Sequence, residues 1–217
     1  MQFDIITIFP ELFNAFITTS VIKNAISKDI IKINTHNLRD YTTLRHKQVD
    51  DTPYGGGVGM VLMAEPIIKA VRAIKLKDKK SHVILLSATD NFFNQDKALK
   101  YSKNYDQIIL ICGRYEGVDE RVKQTVVDEV VSIGEYILTG GELASMVIIE
   151  ATSRMVNGFF EKENVLLDES YTNGKIIEYP QYTKPETVDN IKVPSVLLSG
   201  NHQEIANWKD KNKIKFS

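Results

Sequence analysis

The residues best suited to chemistry lie in three glycine-rich stretches. The first, Asp50 to Met60, reads DDTPYGGGVGM. Consecutive glycines strip side chains from a loop, allow positive φ and let a planar or bulky group approach the backbone. The two aspartates at its start can hold a cation or accept hydrogen bonds from a base or an amine. A flexible solvent loop also contains such runs. No Lys-Ser/Thr pair follows the glycines, so this is not a phosphate loop. Nor does it have G-x-G-x-x-G spacing between a strand and a helix, so it is not a dinucleotide fingerprint. ATP and NAD are therefore discounted.

The second stretch, Ile111 to Arg121, reads ICGRYEGVDER. A buried strand is expected to end at Cys112, with Gly113 permitting a sharp exit. In open α/β sheets, ligands sit beyond the carboxyl ends of the strands. Glu116, Asp119 and Glu120 would present carboxylates there, suited to an amine or a sulfonium. Acids that merely complement a helix dipole are the plainer alternative. The third stretch, Ser132 to Ala144, reads SIGEYILTGGELA. Exposed backbone groups in it can read the edge of an adenine, and Tyr136, Ile137 and Leu138 can sandwich its faces. One such loop alone is best taken as a turn. Two glycine-bracketed strand ends in succession favour a shared ligand site. Arg154, at the end of the helix that follows, reads by itself as a cation complementing the helix dipole.

The elements that would position these residues alternate between strand and helix. Strands are expected at Phe3–Ile8, Ile30–Ile33, Val83–Leu86, Gln107–Cys112 and Val126–Ile133, all β-branched. Helices are expected at Pro10–Phe16, Ser20–Ser27, Ala64–Ile74, Asn94–Asn104, Asp119–Gln124 and Gly141–Val156. Alternation of this kind predicts an α/β fold with a parallel sheet. The long polar stretch from Asn34 to Val58 lacks apolar periodicity, and loops of that length are usually functional or disordered. Residues 157–175 turn polar and glycine/asparagine-rich and read as a connector. A small helical unit is expected after it, carried by Val196, Leu197, Leu198, Ile205 and Trp208. The expected division is 1–160, a flexible linker 161–175, and 176–217.

Composition narrows the class. The 217 residues are 43% hydrophobic and 25% charged, ordinary values for a soluble globular protein. The longest apolar runs are too short for a bilayer span, and no secretory signal is expected. One cysteine, Cys112, fits a reducing cytoplasm. No Cys/His spacing suggests a zinc site, and no protein metal ligands are expected. A net charge of −1 argues against bulk attraction to nucleic acid. Charge is uneven, however. Residues 19–48 hold six Lys/Arg against two acids, and residues 112–150 hold eight acids against three bases. Separate basic patches suit one structured RNA bound locally.

Together the segments resemble the tRNA (guanine-37-N1)-methyltransferase family, TrmD, of the SPOUT superfamily. The resemblance covers nearly the whole chain. It is carried by FDIITIFPELF at the start, by the three glycine stretches, by YPQYTKPE (Tyr179–Glu186) and by VPSVLLSGNHQEIANW (Val193–Trp208). It implies methyl transfer from S-adenosylmethionine to N1 of the guanosine 3′ of the anticodon, supporting reading-frame maintenance. It also implies a SPOUT-type sheet with a deep trefoil knot, a homodimer with active sites between subunits, tRNA as partner, magnesium dependence and a cytoplasmic location. The donor site would comprise Leu86, Ser87, Gly113, Glu116, Ile133, Gly134, Glu135, Tyr136, Ile137, Leu138, Gly140 and Gly141. Substrate contacts would fall to Asp50, Tyr54, Gly55, Gly59, Ser170, Asn201 and His202.

Methylating N1 of guanine requires removal of its proton and stabilisation of the charge that develops on O6. The resemblance gives the second task to Arg154 and the first to an acid at the connector's end. The family's Asp-Ser-Phe is here Asp168-Glu169-Ser170-Tyr171. Position favours Glu169 and residue type favours Asp168, so both stand. Further departures are Ser87-Ala88-Thr89-Asp90 for Ser-Pro-Gln-Gly, Ala144 for a proline, and Lys184 for an arginine, which keeps the charge but loses the planar fork. Two other readings stand beside this one: a related methyltransferase for another RNA site, and an RNA-binding protein with a decayed active site.

Overall fold

A computed structural model describes residues 1–161, 169–171, 174 and 176–215. The chain forms two compact units, Met1–Phe159 and Phe160–Ser217.

In the first unit, β1 (Gln2–Thr7) leads through a 3-10 turn (Pro10–Phe13) into α1 (Asn14–Thr18) and α2 (Ser20–Ser27). Next come β2 (Lys32–Asn37), the short strands β3 (Asp50–Asp51) and β4 (Val61–Leu62), and α3 (Ala64–Ile74). Then β5 (Ser81–Leu86), α4 (Gln95–Asn104), β6 (Gln107–Cys112), α5 (Arg121–Val126), β7 (Glu129–Val131) and α6 (Glu142–Arg154) complete the unit. Five strands form one sheet in the order β2-β1-β6-β5-β7, and every neighbouring pair is parallel.

A parallel sheet covered on both faces needs apolar residues at consecutive positions, and β6 (QIILIC) is buried throughout. Alternate residues serve opposite cores. Phe3, Ile84, Ile108 and Leu110 pack with Tyr101 of α4 and Ile148 and Ile149 of α6. Val83, Leu85, Ile109 and Ile111 pack with Ile67, Ala70 and Val71 of α3 and Val122 of α5. The result is a helix–sheet–helix sandwich whose strand ends carry the loops of interest.

Most element ends shift by a few residues from the expectation, and three differences bear on the site. The second strand starts at Lys32, not Ile30, and runs on through polar residues to Asn37. Its polarity serves Asp4, a buried carboxylate on β1. Asn34 Nδ2 donates to Asp4 at 2.9 Å, His36 Nε2 lies 2.8 Å from it, and Gln2 and Gln107 donate at 2.7 Å. Burial alone would raise this carboxyl's pKa, but the bonds from His36, Gln107, Gln2 and Asn34 outweigh it and lower the value. The last strand is only Glu129–Val131, because Val126 ends α5. The expected loop from Asn34 to Val58 is ordered. It contains two 3-10 turns and then β3, which pairs antiparallel with β4. The glycine run is thus the tip of a hairpin.

The second unit carries α7 (Ser195–Leu198) and α8 (His202–Lys211), which contain Val196, Leu197, Leu198, Ile205 and Trp208, none of them fully buried. Asn201 caps α8, its side chain accepting from the N–H groups of Gln203 and Glu204. The unit is not helical alone. A strand at Ile176–Ile177 pairs antiparallel with one at Ile214–Lys215, and Thr187–Val188 pairs with Ile191–Lys192. Trp208 lies against Tyr179 and Tyr182, with ring centroids 6.5 and 6.3 Å away.

Candidate active site

Strands β5, β6 and β7 stop at Leu86, Cys112 and Val131, and a cavity of about 210 Å³ opens beyond these carboxyl ends. Its floor is Leu86, Val131 and Ala144. One wall is the loop from Gly113 to Gly117, and the other is Ile133 with the Tyr136–Gly141 segment.

Two contacts hold these walls together. The Gly141 N–H donates to the Gly113 carbonyl at 3.0 Å, and Arg114 bridges Gly140 in antiparallel fashion. A Cβ on Gly141 would lie 2.8 Å from Cys112 Cα, and one on Gly140 would lie 2.2 Å from Arg114 Nε. The paired glycines at the mouth of α6 are therefore a requirement of closure, more than of turning.

Behind the wall lies a buried ion pair. Glu142, the first residue of α6, is 1% exposed. It accepts from Thr7 Oγ1 at 2.7 Å and from Arg114 Nε at 2.9 Å. The Phe9 ring covers the Arg114 guanidinium, 4.7 Å from its centroid. Cys112 sits beside this cluster. Burial and then the nearby Glu142 charge push its thiol pKa up, despite Ser145 and Arg114, which favours the neutral thiol.

The glycine hairpin leans on the cavity rim. The Glu116 N–H donates to Met60 O and the Leu62 N–H to Gly117 O, each at 3.0 Å. Gly59 has positive φ, and a Cβ there would meet Glu116 Oε1 at 2.5 Å. Asp50 is half-buried on β3, whereas Tyr54 at the tip is 99% exposed.

Most of the expected donor-site residues line this one cavity: Leu86, Ser87, Gly113, Glu116, Ile133, Tyr136, Ile137, Leu138, Gly140 and Gly141. Gly134 and Glu135 do not. Gly134 instead makes room for the Tyr136 ring, whose Cε1 a Cβ would meet at 2.3 Å. Of the three acids after β6, only Glu116 lines the cavity. Asp119 pairs with Arg121 at 2.6 Å, which lowers its pKa, and Glu120 pairs with Lys123 at 2.7 Å. Sequence reasoning missed Arg114, Thr7 and Glu142. Arg114 and Glu142 stand inside the glycine stretches already singled out. Thr7 ends an apolar strand and gave no signal, because only the fold brings it to Glu142.

Arg154 ends α6 and is half-buried. Glu169 and Ser170 are half-buried in the second unit, where Ser170 Oγ accepts from the Glu178 N–H at 3.1 Å. Asn201 is the helix cap already described, and His202 is exposed on α8. Asp168 lies outside the described residues.

An open parallel sheet with a glycine-framed cleft at its carboxyl edge places the chain among α/β proteins, whose ligands as a class sit beyond the strand ends. Comparison with known proteins narrows this further. A family model described as tRNA (Guanine-1)-methyltransferase TrmD matches residues 1–216, so the chain belongs to that family. A tRNA (guanine-N(1)-)-methyltransferase of Dictyoglomus turgidum is 50% identical over 99% of this chain and 86% of its own length. One of Carboxydothermus hydrogenoformans is 50% identical over 99% of this chain and 83% of its own. One of Ruminiclostridium cellulolyticum is 46% identical over 96% and 89%. Methyltransferases of this family use S-adenosylmethionine.

Proposed function

We propose that this chain transfers a methyl group from S-adenosylmethionine to N1 of guanosine 37 in tRNA. The observation that carries the reading is the cavity beyond β5, β6 and β7, whose two walls are tied together by Gly113 and Gly141. At about 210 Å³ it is smaller than the ~300–1,000 Å³ typical of sites for drug-sized ligands. It therefore fits the nucleoside part of the donor, with the amino-acid part reaching toward the charged rim at Arg114 and Glu116.

S-adenosylmethionine supplies an activated methyl group on a sulfonium. The chain's tasks are to hold, orient and deprotonate. Leu86, Ile133 and Leu138 pack the adenine, and Tyr136 covers it. The hairpin Asp50–Leu62, with Tyr54, Gly55 and Gly59, guides the RNA strand to the rim. Glu169 or Asp168 takes the proton from N1, and Arg154 offsets the negative charge gathering on O6. Ser170, Asn201 and His202 contact the tRNA.

The sheet is proposed to contain the SPOUT knot. Supporting this, the loops after β6 and β7 are laced by the Gly141–Gly113 and Arg114–Gly140 contacts. A homodimer is proposed because α6 leaves Leu143 and Val147 exposed while burying Ile148 and Ile149 on its other side. Magnesium dependence rests on the family resemblance. Among the described residues no three His, Cys, Asp or Glu side chains gather to hold a metal, and no step here runs through one. No helix of the described residues is long and apolar enough to cross a membrane, and a cytoplasmic location is proposed.

Single-turnover methyl transfer to unmodified tRNA tests the assignment. Arg154→Ala, and either Glu169→Ala or Asp168→Ala, should slow it by about 10²-fold or more while leaving donor affinity nearly unchanged. If neither carboxylate substitution slows transfer, the proton acceptor has been misassigned.

A further inference from the structure

We infer that Glu142, braced by Thr7, is a positioning residue that aims the Arg114 guanidinium at the carboxylate of the methyl donor's amino-acid part. This rests on the proposed donor site, in which Arg114 already stands at the rim, and extends it to Glu142 and Thr7.

Among the described residues, Arg114 and Glu116 are the only charged residues lining the cavity, and they sit two residues apart on one wall. The donor's amino-acid part is a zwitterion. One cation and one anion on the same rim are the complement of a carboxylate and an ammonium.

The way Arg114 is held leaves it free for that partner. A carboxylate facing arginine usually engages two nitrogens in a fork. Here both Glu142 oxygens take the same Nε–H, at 2.9 and 3.2 Å. The Nη1 and Nη2 donors make no hydrogen bond among the described residues, although Arg114 lines the cavity. Phe9 holds one face of the guanidinium. One edge and one face are thus fixed by protein, and the remaining donors await an acceptor.

Energetics point the same way. A carboxylate as buried as Glu142 is tolerated only with a close counter-charge and filled hydrogen-bond positions. Arg114 supplies the first, and Thr7 Oγ1 supplies a further bond at 2.7 Å. Thr7 is itself fixed, because its hydroxyl accepts from the Phe9 N–H at 3.0 Å. The end of β1, the start of α6 and the loop after β6 therefore meet at one charge. Without that charge Arg114 regains rotamer freedom and must be re-ordered at every binding event.

Titration calorimetry on the full chain separates aiming from mere structural support. S-adenosylhomocysteine carries the amino-acid part, whereas methylthioadenosine has the same nucleoside and sulfur without it. Glu142→Gln keeps the shape and the Thr7 bond. It should weaken S-adenosylhomocysteine about tenfold and leave methylthioadenosine within about twofold. Arg114→Ala should give the same selective loss, and the double variant should be no worse. Thr7→Val, which keeps the ion pair, should show a smaller loss of the same selectivity, about two- to fivefold. Equal weakening of both compounds would mean a damaged pocket and would overturn the inference. So would an unchanged S-adenosylhomocysteine affinity in any folded variant. A wild-type chain that binds neither compound would instead overturn the donor-site reading, and this inference with it.

Discussion

Gly141 is the residue on which the site turns. Its N–H ties to Gly113, and its missing Cβ leaves room for Cys112 Cα, a backbone atom that cannot swing aside. Gly141→Ala is expected to force the two loops apart, at a cost of about 1–3 kcal/mol. S-adenosylhomocysteine affinity by calorimetry should fall more than tenfold, with only a modest loss in melting temperature. An unchanged affinity would show that the loops tolerate the methyl group. Gly134→Ala should act differently, because the neighbour there is the Tyr136 ring, a side chain able to move. At this scale the sequence was partly readable. Glycine pairs after apolar runs announced close approach, since no other residue leaves a backbone bare. What the glycines make room for was hidden. Arg114 and Glu142 are far apart along the chain, and their pairing depends on how β6 meets α6.

The edge strand β7 is held at its start by an ionic cluster. Glu129 accepts from Tyr101 at 2.8 Å, from Lys97 at 2.9 Å and from Asn91 at 3.0 Å, and His82 Nε2 lies 2.9 Å away. Burial alone would raise the Glu129 pKa. The bonds from His82, Asn91, Lys97 and Tyr101 overcome that and hold it at about 2, against an ordinary 4.5. A depressed carboxyl stabilises the fold at pH above its unfolded value, and that stability is lost as pH falls toward the folded value. Stability to urea should therefore fall between about pH 4.5 and pH 2 by roughly 2–3 kcal/mol from this group. Glu129→Gln should lower stability at neutral pH and flatten that slope. An identical slope in the variant would remove Glu129 from the account. The cluster matters for the site because Asn91 also donates to Val130 O at 2.7 Å, and Phe93 N–H to Ser132 O at 2.8 Å. These bonds set where β7 ends and the cavity begins. Elements were legible where both faces are buried, as in β6, because continuous apolar runs then follow from covering. They were not legible where a polar side chain repays a buried charge, as along β2, or where a glycine loop proves to be a hairpin tip.

The whole molecule divides at Phe159 and Phe160. The proposed donor cavity belongs to the first unit, and the proposed proton acceptors, Glu169 or Asp168, fall in the second. In the proposed homodimer, the partner would cover the exposed Leu143 and Val147 of α6. Leu143→Lys with Val147→Lys should convert a dimer to a monomer in light scattering and abolish methyl transfer together. A double variant that stays dimeric would place the interface elsewhere. The family itself was legible in the ordered blocks along the chain, because each block answers a local need for glycine, charge or ring. The strand pairs of the second unit were not, since they are two residues long and carry no alternation.

The most direct test is nucleoside mass spectrometry of unmodified tRNA incubated with the purified chain and methyl-labelled S-adenosylmethionine. Labelled 1-methylguanosine is expected, with the label lost when guanosine 37 is replaced. Label at another nucleoside, or tRNA bound without any label, would contradict it.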